Sequence, residues 1–169
     1  MDKAITTALL IVISMVMAIS LFNVAYPAIT QGGNAIANMA NRSSDRLRSE
    51  IRVIHATSEL DSTGHWTDTN GNGLFDVFIW VKNIGSLTVD AIADVDLFFG
   101  PEGNFARIRN QVDGSGFPYW TSQIENATSW TPTATLRITV HYPAPVASGR
   151  YYVNVTLPNG VADTTLLSL

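Results

Sequence analysis

The sequence predicts an α+β chain: a long N-terminal hydrophobic α-helix over residues 1–50, then an all-β, immunoglobulin-like sandwich over 51–169. Three observations predict it. No Asp, Glu, Lys or Arg stands between Lys3 and Arg42, a charge-free run of 38 residues. From Ile51 onward, apolar and polar residues alternate at period two, with Asn-Gly, Gly-Pro and Pro punctuation between the runs. The chain is 46% hydrophobic and 14% charged, against roughly 25% charged for an ordinary soluble domain, so its apolarity has to be concentrated. Having no cysteine, the chain cannot build a disulfide framework, a thiolate nucleophile or a Cys-ligated metal site. A net charge of −4 argues against nucleic acid, whose binding demands a basic face.

The helix comes first. Ala8–Ile29 reads ALLIVISMVMAISLFNVAYPAI, and about 20 apolar residues at 1.5 Å each span roughly 30 Å, the hydrocarbon thickness of a bilayer. The run is apolar all round, so it needs burial on every side, in lipid or among like helices. A secretory signal peptide is the bland alternative. The run is longer than the usual ~7–15-residue apolar region, and Tyr26-Pro27 stands where a small-residue cleavage site belongs. Arg42, Arg46, Arg48 and Arg52 follow the run and only Lys3 precedes it. The positive-inside rule would then put the downstream side in the cytoplasm, whereas the downstream domain reads as extracellular. A short basic leader before Met1, removed after synthesis, would reconcile the two. Pro27 and Gly32-Gly33 can bend a helix without ending it. Ile36, Met39, Ala40, Ser43 and Leu47 recur at spacings of three and four, so the helix is expected to continue as a bent stalk of about 45 residues, roughly 65–70 Å long.

The strands follow. Candidates are residues 52–60, 74–83, 91–99, 104–108, 135–142, 151–157 and 162–167. Val77, Ile79 and Val81 alternate with Phe78, Trp80 and Lys82; Leu136, Ile138 and Val140 alternate with Arg137, Thr139 and His141. Each pattern reads as a strand with one face in the core and one in water. After Arg52 there are 5 basic and 11 acidic residues, a net of −6, which with many Ser and Thr suits an extracellular surface.

Signals for catalysis are weak. His55, His65 and His141 are scattered, with His55 and His141 expected on solvent faces of strands. The four tryptophans read as core or rim packing. No phosphate loop or nucleophile elbow occurs, so no enzyme is expected and no cofactor is required. The sharpest motif is Asp68-Thr-Asn-Gly-Asn-Gly-Leu-Phe-Asp76. Asp68, Asn70, Asn72, the Leu74 carbonyl and Asp76 occupy the oxygen-donor positions of an EF-hand-type loop, which makes calcium the candidate cation. Position 12 of such a loop is Ile79 rather than an acid, with Asp61 or Glu59 as substitutes. The alternative is a bare Asn-Gly hairpin turn. Three sequons, at Asn41, Asn126 and Asn154, are candidate glycosylation sites; Asn126 reads as the loop acceptor and Asn154 as mid-strand.

Four segments carry a family resemblance: Ala4–Ser14 (AITTALLIVIS), Asn23–Ile29 (NVAYPAI), Asp45–Ile51 (DRLRSEI) and Phe78–Gly85 (FIWVKNIG). Together they resemble the archaellins and their minor homologues, the archaellar stator-type subunits, which are type IV pilin-like proteins. The acidic residue found early in bacterial pilin helices is absent, since position 5 is Ile, and that favours the archaellin side. The resemblance implies a structural subunit of an archaellum-like or type IV pilus-like surface filament, serving motility or adhesion. It implies self-association into a helical homopolymer, with the membrane, a prepilin-type peptidase and the assembly machinery as earlier partners. Filament-core packing then falls to Ala8, Leu10, Ile13, Ser14, Val16, Met17, Ala18, Leu21, Phe22 and Ala25. The alternatives are a minor, membrane-anchored stator-type subunit and a single-span extracellular binding domain.

Overall fold

The structure, a computed structural model, describes residues 2–169. It divides into two compact units, one ending at Ser43 and the other Ser44–Leu169.

Helix α1 runs Asp2–Arg48, 47 residues, and continues unbroken past Pro27. The hydroxyls of Thr6, Thr7, Ser14 and Thr30 close on the helix's own backbone. Thr7 donates to the Lys3 carbonyl at 2.7 Å, Ser14 to the Leu10 carbonyl at 2.8 Å and Thr30 to the Tyr26 carbonyl at 3.0 Å. A polar side chain that closes on its own backbone presents little cost to an apolar medium. No residue of α1 is buried; Leu21, Val24 and Ile29 are 71%, 74% and 73% exposed. By length and composition the helix is able to cross a membrane.

The second unit is a sandwich of eight strands: β1 Ile51–Ser58, β2 Phe75–Asn83, β3 Asp96–Pro101, β4 Ala106–Asn110, β5 Tyr119–Ile124, β6 Thr135–Tyr142, β7 Arg150–Thr156 and β8 Ala162–Ser168. The order across the sheet is β1-β2-β6-β5-β4-β3-β7-β8. Every pairing is antiparallel except β4 with β5, which run parallel over Arg109↔Tyr119 and Asn110↔Trp120 alone. That short bridge joins the two layers. At the opposite end of the order, the Asp163 carboxylate on β8 accepts the Val53 N–H of β1 at 2.7 Å. The sandwich is therefore nearly a closed barrel, and a partnerless edge N–H is capped by a side chain.

The core is built from the faces that the alternation marks. Val77, Ile79 and Val81 of β2 and Leu136, Ile138 and Val140 of β6 are fully buried, against Leu97, Phe99, Val153 and Val155 from the other layer. Two segments depart from the sequence reading. Strand β5 escapes it, because in Tyr-Trp-Thr-Ser-Gln-Ile only Trp120 and Ile124 carry the apolar signal. Ser122 stands exposed where the pattern asks for a core residue. There the layers part beyond the two-residue bridge, leaving a cavity of about 560 Å³ lined by Ile92, Asn110, Val112, Ser122, Ile124 and Leu136. The second departure is at residues 91–99, which split into a 3₁₀ turn, Ile92–Asp94, and β3.

Candidate functional site

Three features of the chain bear on function: the exposed apolar helix, a buried polar cluster at the start of β2 and the main-chain junction between residues 48–50 and the end of β2. The helix places all ten residues expected to pack a filament core (Ala8, Leu10, Ile13, Ser14, Val16, Met17, Ala18, Leu21, Phe22 and Ala25) on a helix with no buried residue. The Phe22 and Tyr26 rings, one turn apart, stack at 5.5 Å.

The polar cluster grows from Asp76, which is wholly buried although it begins a strand. One carboxylate oxygen faces the His141 Nδ1 at 2.6 Å, and the other accepts the side-chain amides of Asn70 at 2.7 Å and Asn72 at 2.9 Å. His141 Nε2 in turn meets the Thr121 hydroxyl at 2.9 Å, and the Tyr119 ring lies 4.8 Å from the imidazole. A second carboxylate, the buried Glu59, closes the loop from the other side. It accepts the Trp66 indole N–H at 3.1 Å, the Thr69 N–H at 2.9 Å, the Thr69 hydroxyl at 2.6 Å and the Asp76 N–H at 3.2 Å. Two buried carboxylates thus have every oxygen engaged, the condition for burying such groups at tolerable cost.

His141 corrects the sequence reading. It is 9% exposed rather than on a solvent face, and Thr139 beside it is also 9% exposed. Alternation reports which side of a sheet a residue takes; it does not report that residues 59–74 fold back over that side. His55 does stand exposed, 5.2 Å from the Trp80 ring. Trp120 and Trp130 are buried, and Trp66 and Trp80 are half-buried, as packing residues should be.

The Asp68–Asp76 loop brings its sequence-predicted donors together, but chiefly onto its own backbone. Asp68 accepts the Gly71 N–H at 2.7 Å and the Gly73 N–H at 2.8 Å; Asn70 accepts the Asn72 N–H at 3.1 Å and Asn72 the Leu74 N–H at 2.7 Å. The Gly73 N–H above all holds the Asp68 carboxyl below its ordinary value; burial opposes it, and the N–H groups of Gly71, Asn70 and Asn72 add to the lowering. Gly71 and Gly73 sit at φ +73° and +72°, which a side chain would strain. Because both Asn oxygens face backbone N–H groups, both amide nitrogens point at Asp76. The residues present therefore fit a hard cation only after those two amides turn over, and Asp68 and Asp76 are the two carboxylates it would meet. Neither candidate for position 12 is free for it. Glu59 is engaged as described, and Asp61 caps its own turn through the Thr63 hydroxyl and the Thr63 and His65 N–H groups, which lower its pKa.

A third feature links two of the resemblance segments. The Arg48 carbonyl accepts the Ser86 N–H at 2.8 Å, and the Glu50 carbonyl accepts the N–H groups of Ile84 and Gly85 at 2.9 Å each. The residues after the helix are thus held against the end of β2 by main-chain bonds. A Cβ on Gly85 would lie 2.5 Å from the Glu50 nitrogen and 2.7 Å from the Arg48 oxygen, so only glycine permits this approach. Of the sequons, Asn41 lies exposed on α1, Asn126 exposed in the loop after β5, where its oxygen accepts the Thr135 N–H at 2.9 Å, and Asn154 half-buried on β7.

No family model and no curated protein matches the chain. Among solved structures, the archaellum periplasmic stator protein FlaG from Sulfolobus acidocaldarius superposes with a TM-score of 0.55 at 21% identity, covering 70% of this chain and 99% of its own. A chain of the archaellum periplasmic stator protein complex FlaF and FlaG, from the same organism, gives a TM-score of 0.52 at 21% identity, covering 70% of this chain and 88% of its own. At this identity the likeness establishes the fold.

Proposed function

We propose that the chain is a membrane-anchored stator-type subunit of an archaellum, held in the cytoplasmic membrane by α1, with its β-sandwich on the outer side. The observation that carries this reading is the pairing of the two units. A helix whose residues 4–41 are free of charge, of membrane-spanning length, is joined to a sandwich fold that matches 99% of the FlaG chain. A filament subunit, the reading the sequence resemblance put first, would bury the same helix among copies of itself. The stator reading is preferred because both structural neighbours are named as periplasmic stator proteins.

The second neighbour is a complex of two such proteins, so the partner proposed for the sandwich is a second stator-type subunit. In this reading the chain transmits force and catalyses nothing. Thr121, His141 and Asp76 lie in line as hydrogen-bonded groups, but they sit under Tyr119 and the loop over residues 59–74, where they brace β2, β5 and β6.

Fractionation of producing cells tests the assignment. Shearing should leave the protein in the membrane pellet, released only by detergent and in few copies relative to the filament protein. Its recovery as a principal component of sheared filaments would overturn the stator reading in favour of the filament subunit.

A further inference from the structure

The outer face of the layer β4-β3-β7-β8 carries an aromatic platform. Phe105 stacks on Tyr152 with ring centres 4.3 Å apart and 29° between planes, and Phe105 is 46% exposed. Gly100 makes room for the stack: it pairs with Tyr152 across β3–β7, and a Cβ there would stand 2.7 Å from the Phe105 Cα. Leu166, paired with Tyr152 on β8, is also 46% exposed. On an isolated domain such a patch has no cover.

The acceptor of a sequon stands beside it. Asn154 lies two residues along β7 from Tyr152, so both side chains project from one face, about 7 Å apart. Its amide nitrogen reaches the Thr164 hydroxyl at 2.9 Å, and the hydroxyl of Thr156, the third residue of the sequon, donates to its oxygen at 2.8 Å. Strand geometry therefore holds the acceptor amide at the surface with the platform directly adjacent. No stacked ring pair among the described residues includes a residue within two positions of Asn126 or Asn41.

We infer that Asn154, rather than the loop residue Asn126, carries an N-linked glycan whose first sugars lie on Tyr152 and Phe105. A pyranose ring has one face of C–H bonds, and their partial positive charge suits the negative face of an aromatic ring. The donor is a lipid-linked glycosyl phosphate. The Asn154 Nδ2–C1 bond forms as the C1–O bond to phosphate breaks, the phosphate leaves with the electron pair, and the amide gives one proton to the transferase. This inference rests on the proposed extracytoplasmic position of the sandwich, since the transfer occurs on that side.

Tryptic peptides of the full-length protein, purified from its native membrane, decide the matter. Cleavage after Arg150 isolates residues 151–169, which hold Asn154 as their sole sequon, while Asn126 falls in residues 110–137. The expected result is a mass increment of whole sugar residues on 151–169 that Asn154→Gln abolishes. The glycosylated protein should also melt higher than Asn154→Gln, a difference that shrinks when Phe105→Ala is introduced into both. An unmodified 151–169 peptide overturns the inference, and sugar on 110–137 alone overturns the choice of acceptor. Labelling Ser115→Cys on intact cells with a membrane-impermeant maleimide separates the causes: label without sugar leaves the location standing, and no label removes the premise.

Discussion

Asp76 shows what a single side chain can bind together. Its carboxylate joins a histidine on β6 to two asparagines of the preceding loop, so Asp76→Ala would strand three polar groups at once. Losing one buried partner costs about 1–3 kcal/mol, and Asp76→Ala should cost at or above the top of that range, read as a lower thermal midpoint of the β-sheet signal in detergent. Asp68→Ala, on the exposed side of the loop, should cost less. A second residue bears on stability at alkaline pH. Burial, with a smaller contribution from the nearby Tyr151, raises the Tyr142 phenol from 10.0 to about 12. The folded state then holds a proton that the unfolded chain loses, so stability is fully present below pH 10 and falls as pH rises toward 12. Tyr142→Phe should flatten that decline only in part, because burial raises Tyr151 in the same direction. A decline of equal slope in Tyr142→Phe would reject the assignment.

At the scale of elements, the junction after the helix and the Asn-Gly loop are the parts most open to test. Gly85→Ala drives a methyl into main-chain atoms at 2.5 and 2.7 Å. It should cost about 1–3 kcal/mol, the usual range for overpacking, and expose residues 48–50 to proteolysis. The loop carries the calcium proposal. Turning over the Asn70 and Asn72 amides must accompany binding, which argues for the weak end of calcium loops, about 10⁻⁴–10⁻³ M. Calcium at ten times Kd would add about 1.4 kcal/mol, or roughly 4–6 °C for a domain of this size. A thermal midpoint identical in calcium and in chelator would make the loop a hydrogen-bonded turn alone. The sequence made β2 and β6 legible because their core faces are uninterrupted Val, Ile and Leu at period two. Strand β5 was illegible because half its inner face opens onto a cavity and carries Ser122. The cluster around Asp76 was legible as a loop motif. The roles of His141, Thr121 and Glu59 were not, because chain separations of 65 and 17 residues from Asp76 are brought to contact only by strand pairing and loop closure.

The whole molecule joins two solvents in one chain. Helix α1 is suited to hydrocarbon, with 38 residues free of charge, and the sandwich, with a net of −6 after Arg52, to water. A charge at the centre of a membrane helix costs about 2.5–3.5 kcal/mol by insertion scales. Ile13→Asp or Val16→Asp should therefore lower the membrane-bound fraction several-fold while the β signal persists. The absence of cysteine makes the most direct test of the anchored topology clean, since any thiol introduced is the sole one. Single variants Ser14→Cys in α1 and Ser115→Cys in an exposed loop of the sandwich would be treated on intact cells with a membrane-impermeant maleimide. The anchored topology predicts labelling of Ser115→Cys without permeabilisation and none of Ser14→Cys until detergent is added. Labelling of Ser115→Cys only after permeabilisation, or free labelling of Ser14→Cys on intact cells, would contradict it.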